Sequence, residues 1–303
     1  MSPARQVAEQ SALAAVAEVL SCPECDRGLS SAPGTLRCSR GHSFDIARQG
    51  YISLLTGAAT KLTGDTAAML DARAAFQGTG NFAPIADAVA AATVAAHDTG
   101  AGGFIADIGA GTGYYLARVL ESVPAARGIA LDIAKPAGRR CARAHPRAAA
   151  VVADAWRGLP IREQTLTTAL SVFAPRNPDA VARALGPGGR YIVVTPTDRH
   201  LAELIEPVGM VTVDPAKDRR LAAAMTGRFT RTEHRTVDYA MTLSRADIAN
   251  LVAMGPSAHH ADDATARIAR LPEPFEVTAS VTVGTYAPVR PHRLLAAAVR
   301  RGQ

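Results

Sequence analysis

The sequence predicts an α/β protein: a parallel sheet covered by helices on both faces, preceded by a small metal-binding module. Three observations predict it. An apolar run, Phe104-Ile105-Ala106, ends in Asp107 and opens into a turn with glycine at alternate positions, Gly109, Gly111 and Gly113, before a helix-like run through Leu120. Two further apolar runs end in acids, at Asp132 and Asp154, and recurring strand–helix units of this kind build a parallel sheet buried on both faces. Finally, Cys22-Pro23-Glu24-Cys25 is followed by Cys38-Ser39-Arg40-Gly41-His42, two close pairs of metal-ligand type on tight turns.

With 303 residues, 48% of them hydrophobic, the chain has material for one large core plus a small module. No apolar run approaches a membrane span, which predicts a cytoplasmic protein. The net charge of +6 is compatible with a nucleic-acid partner. Residues 1–20 read as a tail or short helix, with Val7, Leu13, Val16, Val19 and Leu20 as its apolar positions.

Residues 21–58 form the metal module. Cys22, Cys25, Cys38 and His42 can close a tetrahedron around zinc, and so short a segment draws much of its folding energy from the metal. All four positions are filled by protein, so the site is structural. Phe44, Tyr51 and Leu54 are expected to cover it. Residues 59–100 read as a helical connector, with helices over Thr66–Phe76 and Phe82–Ala96. Residues 101–303 form the large domain. After the strands ending at Asp107, Asp132 and Asp154 come strands over Leu166–Val172, Tyr191–Thr195, Thr236–Leu243 and Phe275–Tyr286, with helices over Ala180–Leu185 and Ala246–Met254. Cys141 falls in a helix and is expected to be buried.

The glycine turn serves nicotinamide or flavin enzymes as well as methyltransferases. Asp107 beside the turn favours S-adenosylmethionine, because a carboxylate there suits a cationic amino-acid tail and repels a pyrophosphate. Asp132 lies 19 residues beyond Gly113, the spacing of an acid that holds a ribose diol. Asp154, followed by Ala155, is placed to accept a hydrogen bond from adenine. The acceptor lies beside Val172 to Asp179, the segment after the fourth strand. That segment has no Asn-Pro-Pro-aromatic tetrad and no cysteine nucleophile, which points to a ring nitrogen or an oxygen. Asp179 is either a proton acceptor or a helix cap. Phe173 contacts adenine or the target base, or packs in the core. The stretch Met254-Gly255-Pro256-Ser257-Ala258-His259-His260 is a polar loop, in which His260 joins Asp179 and Phe173 as a catalytic candidate. Arg37, Arg40, Arg48, Lys61, Arg73 and Arg219, with Lys217 and Arg220, would meet RNA phosphates if they line one groove.

Taken together, these motifs resemble those of the bacterial 23S rRNA guanine-N1-methyltransferases, on the branch that confers tylosin or mycinamicin resistance. The resemblance rests on Cys22, Cys25, Cys38 and His42 continuing through Phe44, Asp45, Gly50, Tyr51, Leu54 and Leu55, on Asp107 to Gly113, on Phe173 to Pro178, and on Met254 to Ser257 with His260. His259 stands where that family has tryptophan. The resemblance implies a Rossmann-like class I S-adenosylmethionine-dependent methyltransferase domain, with the donor held by Asp107, Gly109, Gly111, Gly113, Asp132, Asp154, Ala155 and Phe173. It further implies zinc, a homodimer with an RNA cleft, and a guanine target in a domain II hairpin loop of 23S rRNA near the peptide exit tunnel, at nucleotide 748 or 745. The alternatives are a small-molecule methyltransferase of antibiotic biosynthesis and a non-catalytic RNA-binding protein.

Overall fold

The computed structural model describes residues 12–57, 64–96, 102–210, 212, 214, 216–255 and 261–290. Five parallel strands make the centre: β5 (Phe104–Ile108), β6 (Arg127–Asp132), β7 (Ala148–Val152), β8 (Leu166–Val172) and β9 (Leu185–Pro196). All five residues of β7 are buried, as expected for a strand covered on both faces. Two long strands extend the sheet beyond β9: β10 (Phe229–Leu243) and β11 (Phe275–Pro288). β11 runs antiparallel to β9, and β10 antiparallel to β11. β10 is mostly exposed, and its charged side chains, such as Arg231, Glu233 and Arg235, suit a sheet edge.

Three short antiparallel strands form a separate small sheet: β1 (Leu29–Ala32), β2 (Thr35–Cys38) and β3 (Ser43–Asp45). The chain then enters β4 (Tyr51–Ser53), which leaves the module and pairs in parallel with β7, Tyr51 opposite Ala150 and Ser53 opposite Val152. The large sheet therefore has eight strands in the order β10-β11-β9-β8-β5-β6-β7-β4. The last strand within the expected 21–58 module is thus also an edge strand of the main sheet. Tyr51 does not cover the metal site. It packs beside the helix Lys135–Ala144, where an added Cβ on Gly138 would come within 3.3 Å of its ring. Leu54 does share a buried cluster with Cys22, Leu36 and Cys38, and Phe44 packs against the same cluster.

The segments on either side of the module also pack into the core. Leu13, Val16 and Leu20 are fully buried, and Ser21 donates its N–H to the Pro160 carbonyl at 3.0 Å, so residues 12–20 are a packed element. The helices Ala67–Gly78 and Ala83–Ala96 bury Phe76, Ile85 and Val89 in the core on one face of the sheet. Phe76 meets Phe82 edge to face at 4.9 Å. Leu13, Leu20, Ile129, Leu131, Val181 and Leu185 fill the opposite face.

Strand order reverses direction at β5: β6 and β7 follow on one side, β8 and β9 on the other. Ligands bind outside the carboxyl ends of the strands at such a switch point. No helix among the described residues is long and apolar enough to cross a membrane.

The docking of β4 yields a first prediction. Ile52 is fully buried in β4, so Ile52→Ala is expected to lower global stability by about 2–5 kcal/mol in urea unfolding. The bound metal per chain should stay unchanged. Metal loss without global destabilisation would place Ile52 in the metal module alone.

Candidate functional site

At the switch point the turn after β5 is held by backbone geometry available to few residues. Gly109, Gly111 and Gly113 all have positive φ, at 76°, 56° and 79°. A Cβ on Gly109 would lie 2.6 Å from that of Ala174, and one on Gly113 would lie 2.7 Å from that of Ala144. The turn is stitched to β6. Gly109 and Ala110 donate to the Leu131 carbonyl at 2.8 and 3.0 Å, and Gly111 donates to Asp132 Oδ2 at 2.9 Å. Asp132 Oδ1 accepts the Ala134 N–H at 2.9 Å. The result is a crevice of about 560 Å³, of the size used for small-molecule sites. Its lining includes Asp107, Gly109, Gly111, Asp132, Asp154, Ala155 and Phe173 from the expected donor set. Gly113 stands just behind, as the N-terminal cap of the helix Tyr114–Ser122.

Asp107 is buried, and its Oδ2 has no hydrogen-bond partner among the described residues. Tyr115 lines the same crevice with a buried hydroxyl in the same condition. Burial, and then the nearby Asp132 charge, push the Asp107 carboxyl up to about 7. Asp132 is also raised by burial, against the opposing pull of its two N–H donors. An unpartnered buried acid beside a glycine turn fits the ammonium end of S-adenosylmethionine and fits a pyrophosphate poorly. Asp154 Oδ1 accepts the Trp156 N–H at 3.0 Å. Asn177 Nδ2 donates to the Ala155 and Trp156 carbonyls at 2.9 and 3.3 Å, while its Oδ1 accepts from Ala180 N–H at 3.1 Å. Asn177 thus caps the helix Pro178–Ala184 and fixes the 154–156 wall in one step.

The expectations for Asp179 are corrected here. It neither caps the helix nor lines the crevice; its carboxylate lies on the surface in an ion pair with Arg228, which holds its pKa down. Phe173 does enter the crevice, 38% exposed, at a positive φ of 53°. Around it stand three rings that the sequence reading did not assign to a site: Phe82, Tyr115 and His200, at centroid distances of 6.2, 6.3 and 5.7 Å. Met254 and Gly255 reach the crevice wall, while His259 and His260 lie outside the described residues. Cys141 is buried in its helix, as expected, with its Sγ 3.4 Å from the Gly111 carbonyl.

The metal ligands converge. Sγ of Cys22 and of Cys38 each lie 3.4 Å from His42 Nδ1, and the Cys25 and Cys38 sulfurs are 3.7 Å apart. All four ligand atoms lie within 4.8 Å of one another. A tetrahedral zinc with Zn–S bonds of 2.3 Å needs edges of about 3.8 Å, so the set fits that ion. Arg37, Arg40 and Arg48 are exposed around this module, and Arg219 is exposed on the helix Lys217–Met225. Lys61 lies outside the described residues. Arg73 is corrected: it turns inward, with Nη1 2.5 Å from Asp65 Oδ2 and Nη2 donating to the Met254 carbonyl at 2.8 Å, over the glycine turn.

Two predictions follow from this geometry. Native Asp107 keeps a proton up to about pH 7 that the unfolded chain releases near pH 4, so its contribution to stability falls as pH rises through that window. Asp107→Asn should therefore gain on wild type in denaturant unfolding between about pH 5 and about pH 8. A difference that does not change with pH would contradict the assignment. For the metal, one zinc per chain is expected by elemental analysis, and Cys22→Ser with Cys38→Ser should lose it. Retention of zinc in that double variant would relocate the site.

Comparison with known proteins agrees with this geometry. The family model described as "RlmA, N-terminal", a zinc ribbon, matches residues 20–58. A Streptomyces fradiae 23S rRNA (guanine(748)-N(1))-methyltransferase is 45% identical over 276 residues, covering 90% of this chain and 98% of that one. A Micromonospora griseorubida protein, provisionally named a 23S rRNA (guanine-N(1)-)-methyltransferase, is 46% identical over 288 residues, covering 89% and 97%. Among solved structures, a loganic acid methyltransferase with SAH aligns at a TM-score of 0.50 and 11% identity, over 75% of this chain and 98% of that one, a likeness of fold alone. Identity of 45–46% with near-complete coverage of both relatives means that the chain belongs to the 23S rRNA guanine-N1-methyltransferase family.

Proposed function

We propose that the protein methylates N1 of guanine 748 in the domain II hairpin loop of 23S rRNA, with S-adenosylmethionine as donor, and thereby confers macrolide resistance. The number of the nucleotide follows the Streptomyces fradiae relative. The observation that carries the reading is that one crevice holds both halves of a transfer site. Asp107, whose Oδ2 has no partner among the described residues, Asp132 and the exposed ring of Phe173 all line it.

When bound, S-adenosylmethionine supplies a sulfonium-borne methyl group, which passes to guanine N1 while the S–C electron pair returns to sulfur and the N1 proton leaves to solvent. The chain's own work is positioning. Asp107 holds the cationic tail and Asp132 the ribose hydroxyls. Asp154 and Ala155 meet the adenine edge, on a wall fixed by Asn177. Cys141 takes no covalent part, because burial pushes its thiol up and keeps it protonated. The exposed arginines Arg37, Arg40 and Arg48 on the zinc ribbon grip RNA phosphates, in a cytoplasmic homodimer.

The test is primer extension on 23S rRNA from cells with and without the protein. N1 methylation blocks base pairing, so a reverse-transcription stop at guanine 748 is expected only in expressing cells. No new stop would overturn the activity, and a stop at 745 would move the target. A stop at 748 in cells that remain sensitive to tylosin would retain the activity and remove the resistance.

A further inference from the structure

We infer that His200 reads the target base, its Nε2–H donating to O6 of a guanine that stacks on Phe173; this rests on the reading of guanine N1 as the methyl acceptor. Phe173 follows the last residue of β8, and His200 lies four residues beyond the end of β9, the neighbouring strand. Both residues therefore sit at carboxyl ends on the side of the switch point away from Asp132. Their rings lie 5.7 Å apart and within 18° of parallel, and both line the crevice.

The proton of His200 is fixed by its backbone contact. Ser280 N–H donates to Nδ1 at 3.1 Å, and a backbone amide can only donate, so Nδ1 carries the lone pair and Nε2 the hydrogen. Burial, and then the charge of Lys217, push the His200 pKa down to about 4, so the ring remains a neutral single donor near pH 7. Among the described residues, Nε2 has no hydrogen-bond partner. With Nδ1 taken by Ser280, Nε2 is the ring's remaining donor at the crevice wall.

Guanine supplies the matching acceptor. Its O6 accepts, whereas adenine carries an amino donor at the equivalent position. Adenine in the same pose would set donor against donor, so His200 discriminates by mismatch as well as by contact. The contact also strengthens during reaction, because loss of the N1 proton moves negative charge onto O6, and a preplaced donor aimed at developing charge lowers the barrier. Phe173 supplies the platform. A bulky residue at φ 53° is strained, and here the strain holds an aromatic face 38% exposed in the crevice. Two cations stand beside the slot. Arg176 lines the crevice with a buried Nε that has no partner, and its charge, after burial, lowers the pKa of Lys217. Neither is in ion-pair contact with a carboxylate among the described residues, and the phosphate of an everted nucleotide suits them both.

The test uses the full-length zinc-loaded protein and a transcript of the 23S rRNA domain II hairpin. His200→Phe keeps an aromatic ring and removes the donor; His200→Gln keeps an N–H at similar reach. For His200→Phe, kcat is expected to fall by about 10²–10³-fold, with donor affinity in calorimetry unchanged. His200→Gln is expected to recover most of that loss. A His200→Phe enzyme with wild-type kcat would overturn the inference. So would a His200→Gln enzyme as slow as His200→Phe, or a loss of donor affinity that matches the loss of rate. Failure of wild type to methylate the transcript would instead refute the guanine acceptor.

Discussion

A carboxylic acid kept under the sheet without a partner is the constraint around which the rest is arranged. Asp107 is the penultimate residue of the central strand β5, is buried, and feels the charge of Asp132 on the next strand. Nothing among the described residues hydrogen-bonds its Oδ2. A fold that only maximised stability would have paired or replaced such a group. Its retention makes sense where a cationic ligand completes the site. The glycine turn brings that ligand close, since side chains at Gly109 or Gly113 would collide with Ala174 or Ala144. Asp132, by contrast, is satisfied by the N–H groups of Gly111 and Ala134 and lines the same crevice.

The crevice wall is built from parts far apart in sequence. Asp65, Arg73 and Gln77 come from the segment between β4 and β5, and Met254 and Gly255 from the connection between β10 and β11. Arg73 joins the two by bonding both Asp65 and the Met254 carbonyl. Gln77 accepts a hydrogen bond from Thr112 at 2.6 Å, which ties the helix Ala67–Gly78 to the glycine turn. The segment read as a helical connector therefore also supplies part of the crevice wall.

The features legible in the sequence were local ones. The glycine spacing, the acids ending Asp107, Asp132 and Asp154, and the Cys/His pairs are short patterns whose chemistry follows from neighbours along the chain. What escaped notice was fixed by contacts across long separations. Three residues of β4 carry no strand signal strong enough to announce a partner near residue 150. His200 stands alone after β9, and only its bond from Ser280 and its stacking on Phe173 single it out. Asp179 and Asn177 both suit a helix start. Arg228, 49 positions away, takes the aspartate, and the asparagine caps. Arg73 reads as a surface cation until the fold turns it inward.

The passage of the chain from the zinc ribbon into β4 has one more consequence. Only five residues, 46–50, separate the last ribbon strand from a strand hydrogen-bonded into the main sheet. The ribbon is thus mortised to the catalytic body at this joint instead of swinging on a tether. The distance from the ribbon's metal ligands to the crevice is therefore a property of the fold, as fixed as the spacing of two strands in one sheet.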